Sequence, residues 1–207
     1  MNIYIKGECI ELALFVSRMC NVSHKRVAIL TDAYVDAFSY VQCNDLERLS
    51  IDYKGIDIYF NNDCLLQNYD VVIFYNCENY ISKAGSNRND LAIWSIGHNS
   101  DFTTTPFKEL YCKKMMIVKN YSQHPFFDIS LQNYPEYEIF HIPYRECDCF
   151  EYMNLQYTSV ADYEKLSSAM KNLLSSIIEI VKTGNAFSKL RSSKRKKNRS
   201  MNLAGVL

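Results

Sequence analysis

Val71-Val72-Ile73-Phe74-Tyr75 is an unbroken apolar run, led in by Tyr69-Asp70 and followed by Asn76, Cys77, Glu78 and Asn79. A strand with one wet face alternates apolar and polar residues, whereas a strand covered on both faces has no need to. The run therefore predicts a strand inside a parallel sheet, with a layer of structure above and below it. The polar residues that follow fall at the carboxyl end of that strand.

Working back towards the N-terminus, Gly55 to Phe60 (GIDIYF) reads as another strand, and Asp63 to Gln67 as a short helix. Ala33 to Leu49 mixes apolar and polar residues and has room for one helix. Arg26 to Thr31 (RVAILT) is a strand ended by Asp32. Asn2 to Lys6 (NIYIK) is a strand ended by Gly7. Between these two, Glu8 to Cys20 places Leu12, Phe15, Val16 and Met19 at helical spacing. Strand, helix and strand at these lengths make a βαβ unit, which is right-handed by strong preference.

Working forward, Leu91 to Ile96 (LAIWSI), Met115 to Val118 (MMIV) and Tyr137 to Ile142 (YEIFHI) read as strands, the last stopped by Pro143. Pro106 to Tyr111 suits a helical turn. The clearest helix is C-terminal. Leu166, Ala169, Met170, Leu173, Leu174, Ile177, Ile178 and Val181 keep an amphipathic pattern, with Ser159 and Asp162 as a capping pair at its start and Gly184 at its stop. That stripe suits core packing, and it also suits a partner helix in a homodimer. The alternation predicts an α/β fold: a mostly parallel, doubly wound sheet with a long C-terminal amphipathic helix, in a single domain over residues 1–184. From Met1 to Ile96 the pattern resembles the generic Rossmann topology.

Residues 185–207 differ in kind. Lys189, Arg191, Lys194, Arg195, Lys196, Lys197 and Arg199 bring seven basic residues with no acidic one, which leaves 16 basic against 23 acidic residues in the body. Self-repulsion and little to bury predict a disordered tail. It has no interleaved aromatic residues for base stacking, and the body is acidic, so no specific nucleic-acid partner is expected. The first seven residues are too short and polar for a signal peptide, and no apolar stretch reaches the roughly 18–20 residues of a membrane span, so a cytoplasmic protein is expected. In that reducing setting the eight scattered cysteines read as small buried hydrophobes rather than a disulfide framework.

In an open parallel sheet, ligands bind beyond the carboxyl ends of the strands. Gly7 and Asp32 are the sharpest pair there. In a dinucleotide-binding βαβ unit a first-turn glycine admits the pyrophosphate, and an acidic residue about 20 positions on accepts from the ribose hydroxyls. Asp32 follows Gly7 by 25 residues and ends the second strand. The turn itself reads G-E-C-I-E-L-A, so the second and third glycines of the fingerprint are missing, and Glu8 puts negative charge where phosphate would sit. Without a ligand, Gly7 eases a turn and Asp32 caps the next helix.

Gly97-His98-Asn99-Ser100-Asp101 is the second cluster. Histidine is the side chain suited to proton transfer at neutral pH, Asp101 can orient His98, and Ser100 or Cys77 can serve as nucleophile if either comes within reach. The same composition makes an ordinary turn. Cys147-x-Cys149 with His141 upstream hints at zinc, but the spacing is not that of structural sites and a fourth ligand is missing. On a strand, the two cysteines would share one face and simply be buried.

Two function classes follow. One is a non-catalytic Rossmann-like accessory or subunit protein with a degenerate strand-end cleft and a protein partner or a second copy. The alternative is an enzyme or binding protein for a small, nucleotide-like molecule, with Gly7, Asp32, Asn76 and Gly97 holding the ligand and His98, Asp101 and Cys77 acting on it. The missing glycines favour the first, and the gathering of Asn, Cys, His, Ser and Asp at strand ends favours the second. No particular cofactor follows from the residues.

Overall fold

The structure is a computed structural model that describes residues 1–7, 10–23, 25–32, 50–53, 55–60, 66–77, 90–96, 114–120, 138–158 and 160–183. Among these described residues, eight strands form one sheet: β1 (Asn2–Gly7), β2 (Val27–Thr31), β3 (Ser50–Asp52), β4 (Ile56–Phe60), β5 (Val71–Tyr75), β6 (Leu91–Ile96), β7 (Lys114–Asn120) and β8 (Glu138–Ile142). Their spatial order is β3-β4-β2-β5-β1-β6-β7-β8. Seven strands are parallel, and only the edge strand β3 runs against its neighbour β4. From β1 the chain steps one way to β2 and β4, then returns through β5 and continues the other way to β8. That is the doubly wound α/β, Rossmann-like architecture.

One feature of the order departs from a dinucleotide-binding sheet, in which the first two strands are neighbours. Here β5 lies between them, pairing Ile3 with Ile73 on one side and Ile29 with Ile73 on the other. The β1–α1–β2 unit therefore arches over β5, where α1 (Ile10–Val22) packs against β2, β4 and β5.

Every residue of β2, β5 and β6 is buried, as expected of strands covered on both faces. On one face Ile3, Ile29, Ile73 and Ile93 join Leu12, Phe15 and Val16 of α1, Leu155 of α2 (Glu146–Thr158), and Leu173, Leu174 and Ile177 of α3, residues 168–183. On the other face Tyr4, Leu30, Phe74, Trp94 and Ile117 form a second cluster, in which the Tyr4 and Phe74 rings stack with centroids 4.9 Å apart. Side chains of this size contribute roughly 1.5–3 kcal/mol each on full burial, which makes these two layers the main source of stability. Among the described residues no helix is long and apolar enough to cross a membrane.

The structure refines several element boundaries. α1 continues to Val22, β7 extends from Lys114 to Asn120, and the helix expected over Asp63–Gln67 leaves a single 3-10 turn, Leu66–Asn68, within the described residues. The C-terminal helix starts later than its apolar pattern suggests. Asp162 caps a separate 3-10 turn, Tyr163–Lys165, by accepting from the Glu164 N–H, and Leu166 then leaves helical geometry with ψ 153°. Ser167 caps α3 instead, its Oγ accepting from the Met170 N–H at 3.2 Å. The Cys147-x-Cys149 pair lies in α2, so a strand does not align it: Cys147 is exposed and Cys149 half-buried. The elements expected at Ala33–Leu49 and Pro106–Tyr111, and the tail from 185, lie outside the described residues.

Candidate functional site

The carboxyl ends of β1, β2 and β5 carry Gly7, Asp32, Asn76 and Cys77 of the sequence-derived candidates, and β5 joins them. After Tyr75 the chain turns sharply: Asn76 takes a φ of +50°, in the left-handed region that asparagine tolerates better than other side-chain-bearing residues. This turn aims the Asn76 amide at the end of β1. Gly7 N–H donates to Asn76 Oδ1 at 2.8 Å, and Asn76 Nδ2 donates back to the Gly7 carbonyl at 3.0 Å. The Tyr75 hydroxyl donates to the same carbonyl at 3.0 Å, and the Asn76 N–H donates to the Ile5 carbonyl at 2.9 Å. Both polar backbone atoms of Gly7 are thus engaged within the protein.

Gly7 is also closed off on its other side. It pairs with Ser95 of β6, has φ +119°, and a Cβ there would lie 1.8 Å from the Ser95 carbonyl oxygen. The glycine therefore serves contact with β6. In a phosphate-binding turn the glycine N–H faces outward to the anion. Here that N–H faces Asn76.

Cys77 turns the other way, towards β2. It is 1% exposed, and its thiol donates to the Leu30 carbonyl at 3.1 Å. Burial first, and the neighbouring Asp32 carboxylate second, push the thiol up to about 12. It therefore stays protonated at neutral pH, and a thiol rather than a thiolate is a poor nucleophile. Thr31 is buried, and Asp32 remains half-buried at the end of β2. With β5 between β1 and β2, Gly7 and Asp32 stand on strands two sheet spacings apart, roughly 10 Å. The structure thus brings Gly7 to Asn76 and Asp32 to Cys77. Gly97, His98, Ser100 and Asp101 lie outside the described residues.

Sequence reasoning passed over Tyr75 and Ser95, because both sit inside strands that look purely structural. The signal for Asn76 was available: an asparagine directly after a buried strand, where the chain must turn.

The amino ends of the strands hold a different set of polar contacts. Asp90 accepts from the Asn2 N–H at 3.0 Å, while its other oxygen is buried without a partner, and burial raises its pKa. Asp70 accepts from the Arg26 N–H at 2.9 Å. Tyr69 donates to Asp57 at 2.6 Å and stands 2.6 Å from the Tyr59 hydroxyl; burial and these contacts raise the Tyr69 pKa. Asp90 and Asp70 tie strand starts together, and Tyr69 links to Asp57 and Tyr59 of β4.

Among the described residues no three His, Cys, Asp or Glu side chains gather as metal ligands. No family model matches the chain, and no curated protein matches its sequence.

Proposed function

We propose that this chain is a non-catalytic, Rossmann-like accessory or subunit protein whose strand-end groove has become a structural joint. The observation that carries the reading is the Asn76 clamp. The Gly7 backbone N–H at the end of β1, which a pyrophosphate-binding turn would aim at the anion, is held by a side chain from the end of β5. The inserted β5 supports the same reading, because it separates Gly7 from Asp32. So does the high pKa of Cys77, which removes a nucleophile from this edge.

The half-buried Asp32 beside a protonated thiol favours a second reading, a small-molecule or nucleotide-type ligand held on the β2 side of the groove. Native mass spectrometry with a thermal-shift screen of NAD(P), flavins, nucleotides and sugar nucleotides separates the two. The joint reading expects a ligand-free mass and no shift. A ligand that raises Tm in the wild type but not in Asp32→Ala overturns it.

A further inference from the structure

α2 buries Leu155 against the core, yet two of its three acidic residues also face inward. Asp148 and Glu151 are 4% and 1% exposed, whereas Phe150 and Met153 are 58% and 52% exposed and Tyr157 is 62% exposed. The inward charges have structural tasks. Asp148 accepts from the Ser167 N–H at 2.7 Å and from the Ser167 hydroxyl at 2.6 Å, supporting the cap of α3, and Glu151 accepts from the Asp162 N–H at 2.6 Å. Phe150, Met153 and Tyr157 follow i, i+3, i+7 spacing and form one apolar stripe, with exposed Tyr144 and Val160 beyond its two ends.

We infer that this stripe is the interface of a homodimer, in which α2 packs antiparallel against α2 of a second copy across a two-fold axis at Met153. This holds whatever the strand ends bind. Three observations select a second copy. First, the stripe reads the same in both directions: aromatic, methionine, aromatic. A two-fold at Met153 sets Phe150 against the partner copy's Tyr157 at both ends and methionine against methionine at the centre, as an isologous interface requires. Second, the only charge on the outward face is Glu146, at the helix start. Antiparallel packing holds the two Glu146 side chains about 20 Å apart, whereas parallel packing would bring them together. Third, side chains of this size at these exposures leave on the order of 500 Å² of apolar surface per copy. Two such patches reach about 1,000 Å², the lower bound of a specific interface, which suits a dimer of micromolar strength.

Sedimentation velocity on the full chain tests this over roughly 2–300 μM, a range that brackets micromolar dissociation. The expected result is a rise from 24.1 kDa towards twice that mass. Met153→Glu sets two carboxylates against each other on the axis and should weaken association at least about tenfold. Its exposed position leaves folding intact, checked by circular dichroism. Met153→Cys should cross-link to itself under oxidised glutathione, while the native Cys147, about 18 Å from its symmetry mate, should not. A monomer at every concentration overturns the proposal. So does an equally strong Met153→Glu dimer, or cross-linking through Cys147 but not through Met153→Cys.

Discussion

Replacing Asn76 tests whether the end of β5 is a structural joint. Asn76→Ala removes two hydrogen bonds to Gly7, each worth about 1 kcal/mol net, and leaves the Gly7 N–H without an acceptor at a further cost of about 1–3 kcal/mol. The Gly7 carbonyl keeps its bond from the Tyr75 hydroxyl, so it adds little. A φ of +50° costs alanine about 1 kcal/mol more than asparagine. The expected loss is about 4–6 kcal/mol, a large share of a typical 5–15 kcal/mol. Asn76→Gly loses the same bonds without the backbone penalty and should stand about 1 kcal/mol above Asn76→Ala. Asn76→Asp keeps the acceptor but faces the Gly7 carbonyl with a carboxylate. Protonation restores a donor, so this variant should recover stability relative to wild type as pH falls. Urea unfolding followed by fluorescence of Trp94, the single tryptophan, reads all three. Asn76→Ala within about 0.5 kcal/mol of wild type at unchanged m would refute the reasoning.

Gly7→Ala drives a Cβ to within 1.8 Å of a backbone oxygen that no rotamer change can move, so a loss of about 3 kcal/mol or more is expected; Gly55→Ala, whose Cβ would meet only the Asn21 side chain at 3.3 Å, should cost about 1–2 kcal/mol. Parallel chemical denaturation of the two variants checks the ranking. Burial raises the Asp90 pKa, so the native state holds its proton more tightly than the unfolded chain does, and this group's contribution to stability falls as pH rises through the raised pKa. Asp90→Asn should therefore melt above wild type at pH 7.5, and the gap should close towards pH 4; a gap that does not change with pH contradicts the burial argument. Native alkylation at pH 8 followed by peptide mapping should modify exposed Cys147 well before Cys20 and Cys77, because burial pushes these two up to about 11 and about 12.

The core was legible because buried parallel strands are written as apolar runs. VVIFY and LAIWSI appear in the structure with the bounds their composition suggested, and α1 follows the spacing of Leu12, Phe15, Val16 and Met19. Strand order was not legible, since an apolar run does not record which neighbours it pairs with. The insertion of β5 between β1 and β2 depends on where a crossover lands, and it changes what Gly7 and Asp32 can do together. β3 is three residues long and pairs antiparallel at the edge, too short for alternation to register. α2 stayed hidden for a different reason. Asp148 and Glu151 face inward to Ser167 and Asp162 while Phe150, Met153 and Tyr157 face outward, so the usual pattern of a surface helix is blurred. At the strand ends the residue types were visible in sequence. The pairing of Asn76 with Gly7 was not, because it follows from the left-handed turn after Tyr75.

The central claim is that the Gly7 N–H is committed to Asn76 and is closed to an anionic ligand. The amide resonance of Gly7, followed by ¹⁵N NMR in hydrogen exchange and in titrations with NAD(P), nucleoside diphosphates and inorganic pyrophosphate, tests it most directly. Slow exchange that Asn76→Ala accelerates is expected, with a resonance that stays in place at millimolar ligand. Exchange at the rate of an open loop, or a saturable shift of that resonance with pyrophosphate, would contradict it.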